Sequence, residues 1–141
     1  MIDTPLSVRA SSAAEFEIRR MATEYSQSIA AGDRKRFLGF FAEDIVMMPP
    51  EQPAARGRVG VAAITDPLFD QFTMREQFEY IELCVVNDWA TGTFTYSFSV
   101  TPKSGGATTT ETGKGIVWLR RTLAGFWQFT QFIWNRDHAT E

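Results

Sequence analysis

The chain has 141 residues and a mass of 15.9 kDa, with 44% hydrophobic and 22% charged residues and a formal net charge of −3. That length and balance fit one globular domain and exclude a disordered polymer. The slightly acidic charge gives no concentrated basic face for nucleic acid, and the one basic run, Arg34-Lys35-Arg36, reads as a solvated helix face. Cys84 is the single cysteine, so no intrachain disulfide can form. It stands in the apolar run Ile81 to Val86 and reads as a buried structural thiol. No apolar run approaches the roughly 18 residues of a membrane span, and residues 1–10 lack a signal-peptide hydrophobic region. A cytoplasmic protein, with neither membrane nor nucleic acid among its partners, is the expectation.

Residues 1–10 read as a loose arm, 11–137 as one domain and 138–141 as a tail. Ser12-Ala13-Ala14-Glu15 matches a capping box. Ala14, Ile18, Met21, Ala22, Tyr25 and Ile29 then repeat at helical spacing. Gly32 suits the residue after the helix end, and Asp33 can cap a short second helix carrying Phe37, Leu38, Phe40 and Phe41. Ala42-Glu43-Asp44 reads as a turn and Ile45 to Met48 as a strand, stopped by Pro49-Pro50. A third helix begins near Arg58 or Val59. Asp66-Pro67 interrupts it and can restart it, since proline suits a first helical turn.

Everything after about Met74 reads as sheet. Arg75 to Val86 turns at Asn87-Asp88 into a strand of strict alternation, with Phe94, Tyr96, Phe98 and Val100 on one face and Thr93, Thr95, Ser97 and Ser99 on the other. Gly105-Gly106 marks a hairpin before Thr108 to Arg121. The last strand, from Phe126 to Asn135, is apolar on both faces. Simple alternation puts Phe126, Gln128, Thr130, Phe132 and Trp134 on one face and Trp127, Phe129, Gln131 and Ile133 on the other. One core covers one of these faces, and the other needs a second subunit. Helices followed by an antiparallel meander predict an α+β fold, with N-terminal helices on the concave face of a curved, mostly antiparallel sheet.

Three pieces carry a resemblance: Tyr25 with Gly32-Asp33 and Phe40 to Asp44; Arg56-Gly57-Arg58 at the third helix; and Gly113 to Arg121 with the closing Phe132-Ile133-Trp134-Asn135. In order and spacing they resemble the NTF2-like superfamily, in its SnoaL-like or ketosteroid-isomerase-like branch. The resemblance implies a cone with a pocket between the first helix and the sheet, and a homodimer through the outer sheet face, with Trp118, Trp127, Phe129, Gln131 and Ile133 at the interface. It also implies a pocket lined by Tyr25, Phe94, Tyr96, Phe98, Val117, Thr130, Phe132 and Trp134, to which Met21, Met47 and Met48 can add a flexible lining. A family isomerase needs a tyrosine, a carboxylate base and a protonated acid. Tyr25 falls on the tyrosine, but Pro49 falls on the base and Val117 on the acid, so steroid isomerisation by that mechanism is rejected.

The expected function is therefore binding of a small apolar organic molecule. The alternatives are an isomerase, cyclase or dehydratase acting on a ketone or polyketide-like substrate with Tyr25 as hydrogen-bond donor, and a non-catalytic dimerisation module. Fold alone does not choose among these. The catalytic candidates are Tyr25, Asp44 and Asp137, with Glu51 a further possible base. His138, the single histidine, stands near the chain end and reads as a residue without function. One histidine and one cysteine without clustered ligand spacing give no metal site, and no cofactor is expected.

Overall fold

The computed structural model describes residues 6–138, with side chains from residue 13 onward. Three helices precede the long meander: α1 (Leu6–Ala30), α2 (Arg34–Gly39) and α3 (Gly57–Gln71). The strands are β1 (Phe41–Met48), β2 (Ala55–Arg56), β3 (Phe72–Val86), β4 (Trp89–Pro102), β5 (Thr109–Arg121) and β6 (Trp127–Arg136). They form one sheet in the order β2-β1-β6-β5-β4-β3. Every neighbour pair is antiparallel except β1 with β6. This is the α+β architecture that the order of elements predicts, in the NTF2-like form that the resemblance implies.

The local signals explain most boundaries. Asp33 caps α2 by accepting a hydrogen bond from the Arg36 amide at 3.1 Å. Gly32, at φ 67°, supplies the left-handed turn between α1 and α2. Three boundaries differ from the sequence reading. α1 begins at Leu6, so Ser12 lies inside the helix and the arm, read over 1–10, is helical from residue 6; residues 1–5 lie outside the described residues. α3 runs through Pro67 without restarting, because its buried Val61 and Phe69 anchor both halves on the sheet. Segment 41–44 is strand rather than turn.

Irregularities in the ladders decide which residues face inward. β6 carries one extra residue: Trp118 pairs with Gln131 while Leu119 pairs with Phe129, leaving Thr130 unpaired. A bulge of this kind reverses the facing of everything on one side of it. Gln131 and Ile133 therefore remain outside, but Trp127 and Phe129 turn into the core, at 4% and 0% exposure. This corrects their assignment to the outer face. A second shift, between Tyr80 and Glu82 of β3, leaves Cys84 exposed and buries Val85, so the thiol is not buried.

The core is a cluster of aromatic rings around Tyr25. Its ring lies 5.6 Å from Phe37, 5.3 Å from Phe129 and 6.1 Å from Phe78, centroid to centroid. The rings of β4 lie flat on the sheet because β5 presents glycines beneath them. A Cβ on Gly113 would stand 2.5 Å from the Tyr96 ring, and one on Gly115 would stand 2.6 Å from Phe94. Outside, Ile116 and Ile133 are directly paired and both remain exposed, as does Trp118 at 45%.

Candidate functional site

Three cross-strand rows build the concave wall. Glu76 of β3 pairs with Phe98 of β4, which pairs with Glu111 of β5. The next row is Tyr96, Gly113 and Arg136, and the next is Phe94, Gly115 and Trp134. Residues of one row share a face, so two carboxyl groups and a guanidinium join a surface of aromatic rings. α1 brings Tyr25 over this wall, and the segment after β1 brings Pro49, Pro50 and Gln52 to its rim.

Between them lies a cavity of about 360 Å³, within the roughly 300–1,000 Å³ of small-molecule sites. Of the expected lining, Tyr25, Phe94, Tyr96, Phe98, Phe132 and Trp134 are there. Met21 and Val117 are instead packed into the core. Thr130, at the bulge, is buried and donates a hydrogen bond to the Trp118 carbonyl at 3.1 Å. Of Met47 and Met48 only Met47 lines the cavity, since inward residues of β1 alternate through Ile45 and Met47. None of the carboxylates expected as a base lines the cavity. Asp44 is exposed and paired with Arg120 at 2.9 Å, which holds its carboxyl below the ordinary range. Asp137 is exposed and paired with Lys114 at 3.0 Å, which does the same. Glu51 is exposed at the rim and paired with Arg136 at 3.2 Å.

Glu76 is the carboxyl group that does line the cavity without a partner. Its Oε1 is sealed from solvent and accepts no hydrogen bond among the described residues. Burial, reinforced by the charge of Glu111, pushes its carboxyl up to about 8, so it carries a proton at neutral pH. Tyr25 is shifted upward as well, first by burial and then by the neighbouring Glu76; its hydroxyl stays protonated and available as a donor. Glu111 is held differently: Tyr96 donates its hydroxyl to Oε2 at 2.8 Å, and Arg136 Nε approaches Oε1 at 3.4 Å. Burial and the bond to Glu111 raise the Tyr96 phenol. One carboxyl is thus kept neutral and its neighbour is kept paired. Such divergent environments separate acid and base roles.

Glu76, Glu111 and Arg136 were not among the expected site residues, yet their strand phase signals them. Glu76 alternates with Met74, Phe78 and Tyr80; Glu111 with Gly113, Gly115 and Val117; Arg136 with Phe132 and Trp134. An ionisable residue in an apolar phase is the informative observation. Among the described residues there is no cluster of three or more metal-ligating side chains, and no helix is long and apolar enough to cross a membrane.

No curated protein matches the chain. Solved structures do match. A Novosphingobium aromaticivorans protein provisionally named scytalone dehydratase superposes with a TM-score of 0.84 at 14% identity, over 95% of this chain and 93% of that one. A ketosteroid isomerase-like protein from Erwinia carotovora atroseptica gives 0.74 at 22% identity, over 87% and 95%. ActVI-ORFA from Streptomyces coelicolor gives 0.76 at 19% identity, over 91% and 100%. At these identities the likeness is one of fold. The profile of the SnoaL-like domain matches residues 11–131, and the chain, which has an NTF2-like fold, belongs to the SnoaL-like domain family.

Proposed function

We propose that this chain binds a small, largely apolar carbonyl compound in the cavity and carries out acid–base chemistry beside its carbonyl group, of the isomerase, cyclase or dehydratase kind. The observation that carries this reading is Glu76, a residue of the aromatic cavity's lining whose Oε1 is sealed from solvent and unpartnered among the described residues. Leaving such a group unpaired costs stability, about 1–3 kcal/mol, and a catalytic role is one of the reasons such a cost persists. A general base works best with a pKa near the working pH, and about 8 makes Glu76 a stronger base than an ordinary carboxylate. Its carboxylate would take the proton from the carbon next to the carbonyl. The C–H electron pair then forms the enolate double bond, and the negative charge moves to oxygen, where the Tyr25 hydroxyl donates a hydrogen bond. Glu76 can return the proton at another carbon, giving an isomer, or to a departing hydroxyl, giving water and an alkene. The fold shared with a provisionally named dehydratase agrees with this chemistry.

Solvent-deuterium exchange tests it without knowledge of the natural substrate. Bicyclic aryl ketones that raise the melting temperature are incubated in D2O and followed by NMR. The expected result is protein-dependent exchange next to the carbonyl, rising with pH through about 8. Glu76→Gln should lower the rate by roughly 10²–10⁴-fold, and Tyr25→Phe by roughly 10²–10³-fold. Ketones that bind but exchange at the uncatalysed rate would reduce the activity to binding alone.

We also infer that the chain forms a homodimer through the outer sheet face, centred on Trp118, Gln131 and Ile133. The exposed Ile116, Trp118 and Ile133 on adjacent strands support this, since an apolar patch of this kind marks an association surface.

A further inference from the structure

We propose that Arg136 anchors a carboxylate on the ligand, so that the molecule entering the cavity is an apolar ring system carrying one acidic group. This rests on the reading of the cavity as a ligand site and narrows the class of ligand.

Arg136 is the one basic side chain bordering the cavity among the described residues, and its side chain is only 23% exposed. Its two carboxylate partners hold it unequally. Glu111 belongs to β5, is fixed on its other oxygen by Tyr96 at 2.8 Å, and lies against the Nε edge of the guanidinium at 3.4 Å, 30% exposed. Glu51 takes Nη1 at 3.2 Å. It is 73% exposed, and it sits in the loop after β1 with a left-handed backbone, φ 60°, that a non-glycine residue adopts at a cost. An ion pair with so exposed a partner contributes little. Nη2 takes part in no hydrogen bond among the described residues.

Glu51 is therefore a displaceable occupant of an anion site. A ligand carboxylate entering beside Pro49, Pro50 and Gln52 can take both Nη1 and Nη2, the bidentate geometry that suits a guanidinium. Because it replaces one carboxylate by another, the exchange leaves the charge beside Arg136 unchanged. Glu76, protonated at neutral pH, does not repel it. The ring system then lies against Phe94, Phe98, Phe132 and Trp134, with the acidic group at the rim and the reacting carbonyl deeper, towards Tyr25 and Glu76.

Isothermal titration calorimetry at pH 6.5 with a matched pair, 2-naphthoate and the neutral 2-naphthamide, tests the assignment. The wild type should prefer the naphthoate. Glu51→Gln, at an exposed position, should tighten the naphthoate by roughly two- to fivefold and leave the naphthamide unchanged. Arg136→Gln should weaken the naphthoate by roughly 10–100-fold; retained naphthamide binding shows that the cavity is intact, and Arg136→Lys should restore part of the preference. If the wild type binds the naphthamide as tightly as the naphthoate, or if Glu51→Gln leaves the naphthoate unaffected, the inference is overturned and the cavity reading stands. If neither compound binds the wild type, both are overturned.

Discussion

Glu76→Gln is expected to make the domain more stable above pH 8, by on the order of 3–5 kcal/mol, and to flatten the dependence of its stability on pH. Burial beside Glu111 raises the Glu76 carboxyl from its ordinary 4.5 to about 8 in the folded state, whereas the unfolded chain keeps the ordinary value. Between those two pH values the folded protein holds a proton that the unfolded chain has released. The stability contributed by this group is therefore fully present below pH 4.5, falls by about 1.4 kcal/mol per pH unit through the interval, and is lost above about pH 8. Glutamine has the same shape and no proton to lose, so the decline disappears with the substitution. Denaturant unfolding at pH 6, 7, 8 and 9 reads the difference directly. A variant that parallels the wild type across that range would show that the carboxyl is already ionised in the folded protein. A gain in stability accompanied by loss of ketone exchange is the pattern expected of a site whose function is maintained against stability.

Phe129→Ala is expected to cost about 3–5 kcal/mol, the usual range for an aromatic ring removed from a packed interior. For a domain of this size that lowers the melting temperature by about 10–20 °C. The ring is fully buried, and its centroid lies 5.3 Å from that of Tyr25, 5.5 Å from Phe41 and 5.1 Å from Phe132. The loss should not depend on protein concentration, because the side chain packs within its own protomer. Trp118→Ser, on the exposed outer face, should behave in the opposite way. It should leave the protomer within about 1 kcal/mol of the wild type and weaken self-association measured by sedimentation. Melting curves at two concentrations separate the cases. If Phe129→Ala is mild and concentration-dependent, then the turn of β6 into the core is wrong.

These two residues mark how far the sequence could be read. The order of helices and strands was legible because it rests on local signals: Asp33 and Gly32 at a helix junction, Asn87-Asp88 and Gly105-Gly106 at hairpins, and the alternation of Phe94, Tyr96 and Phe98 in β4. The aromatic lining followed from that alternation and from the position of Tyr25. The facing of Trp127 and Phe129 was not legible, because one extra residue at Thr130 reverses it, and a bulge is set by pairing between distant strands rather than by local composition. The carboxyl proposed as the base was missed for a different reason. Asp44, Glu51 and Asp137 were sought at strand ends and loops, where acidic residues are common, while Glu76 sits in the apolar phase of a long strand. Its neighbours Glu111 and Arg136 are brought near it only when β3, β4, β5 and β6 assemble, over sequence separations of 35 and 60 residues that no local pattern spans.

The measurement that bears most directly on the account is the titration of the Glu76 carboxyl itself, by carbon-13 NMR of glutamate-labelled protein with Glu76→Gln used to assign the signal. A midpoint near 8, shifting downward when the neighbouring charge is removed in Glu111→Gln, is the predicted result. A midpoint near the ordinary 4.5 would mean that the group is solvated and charged at neutral pH, and would contradict both the sealed cavity wall and the acid–base role built on it.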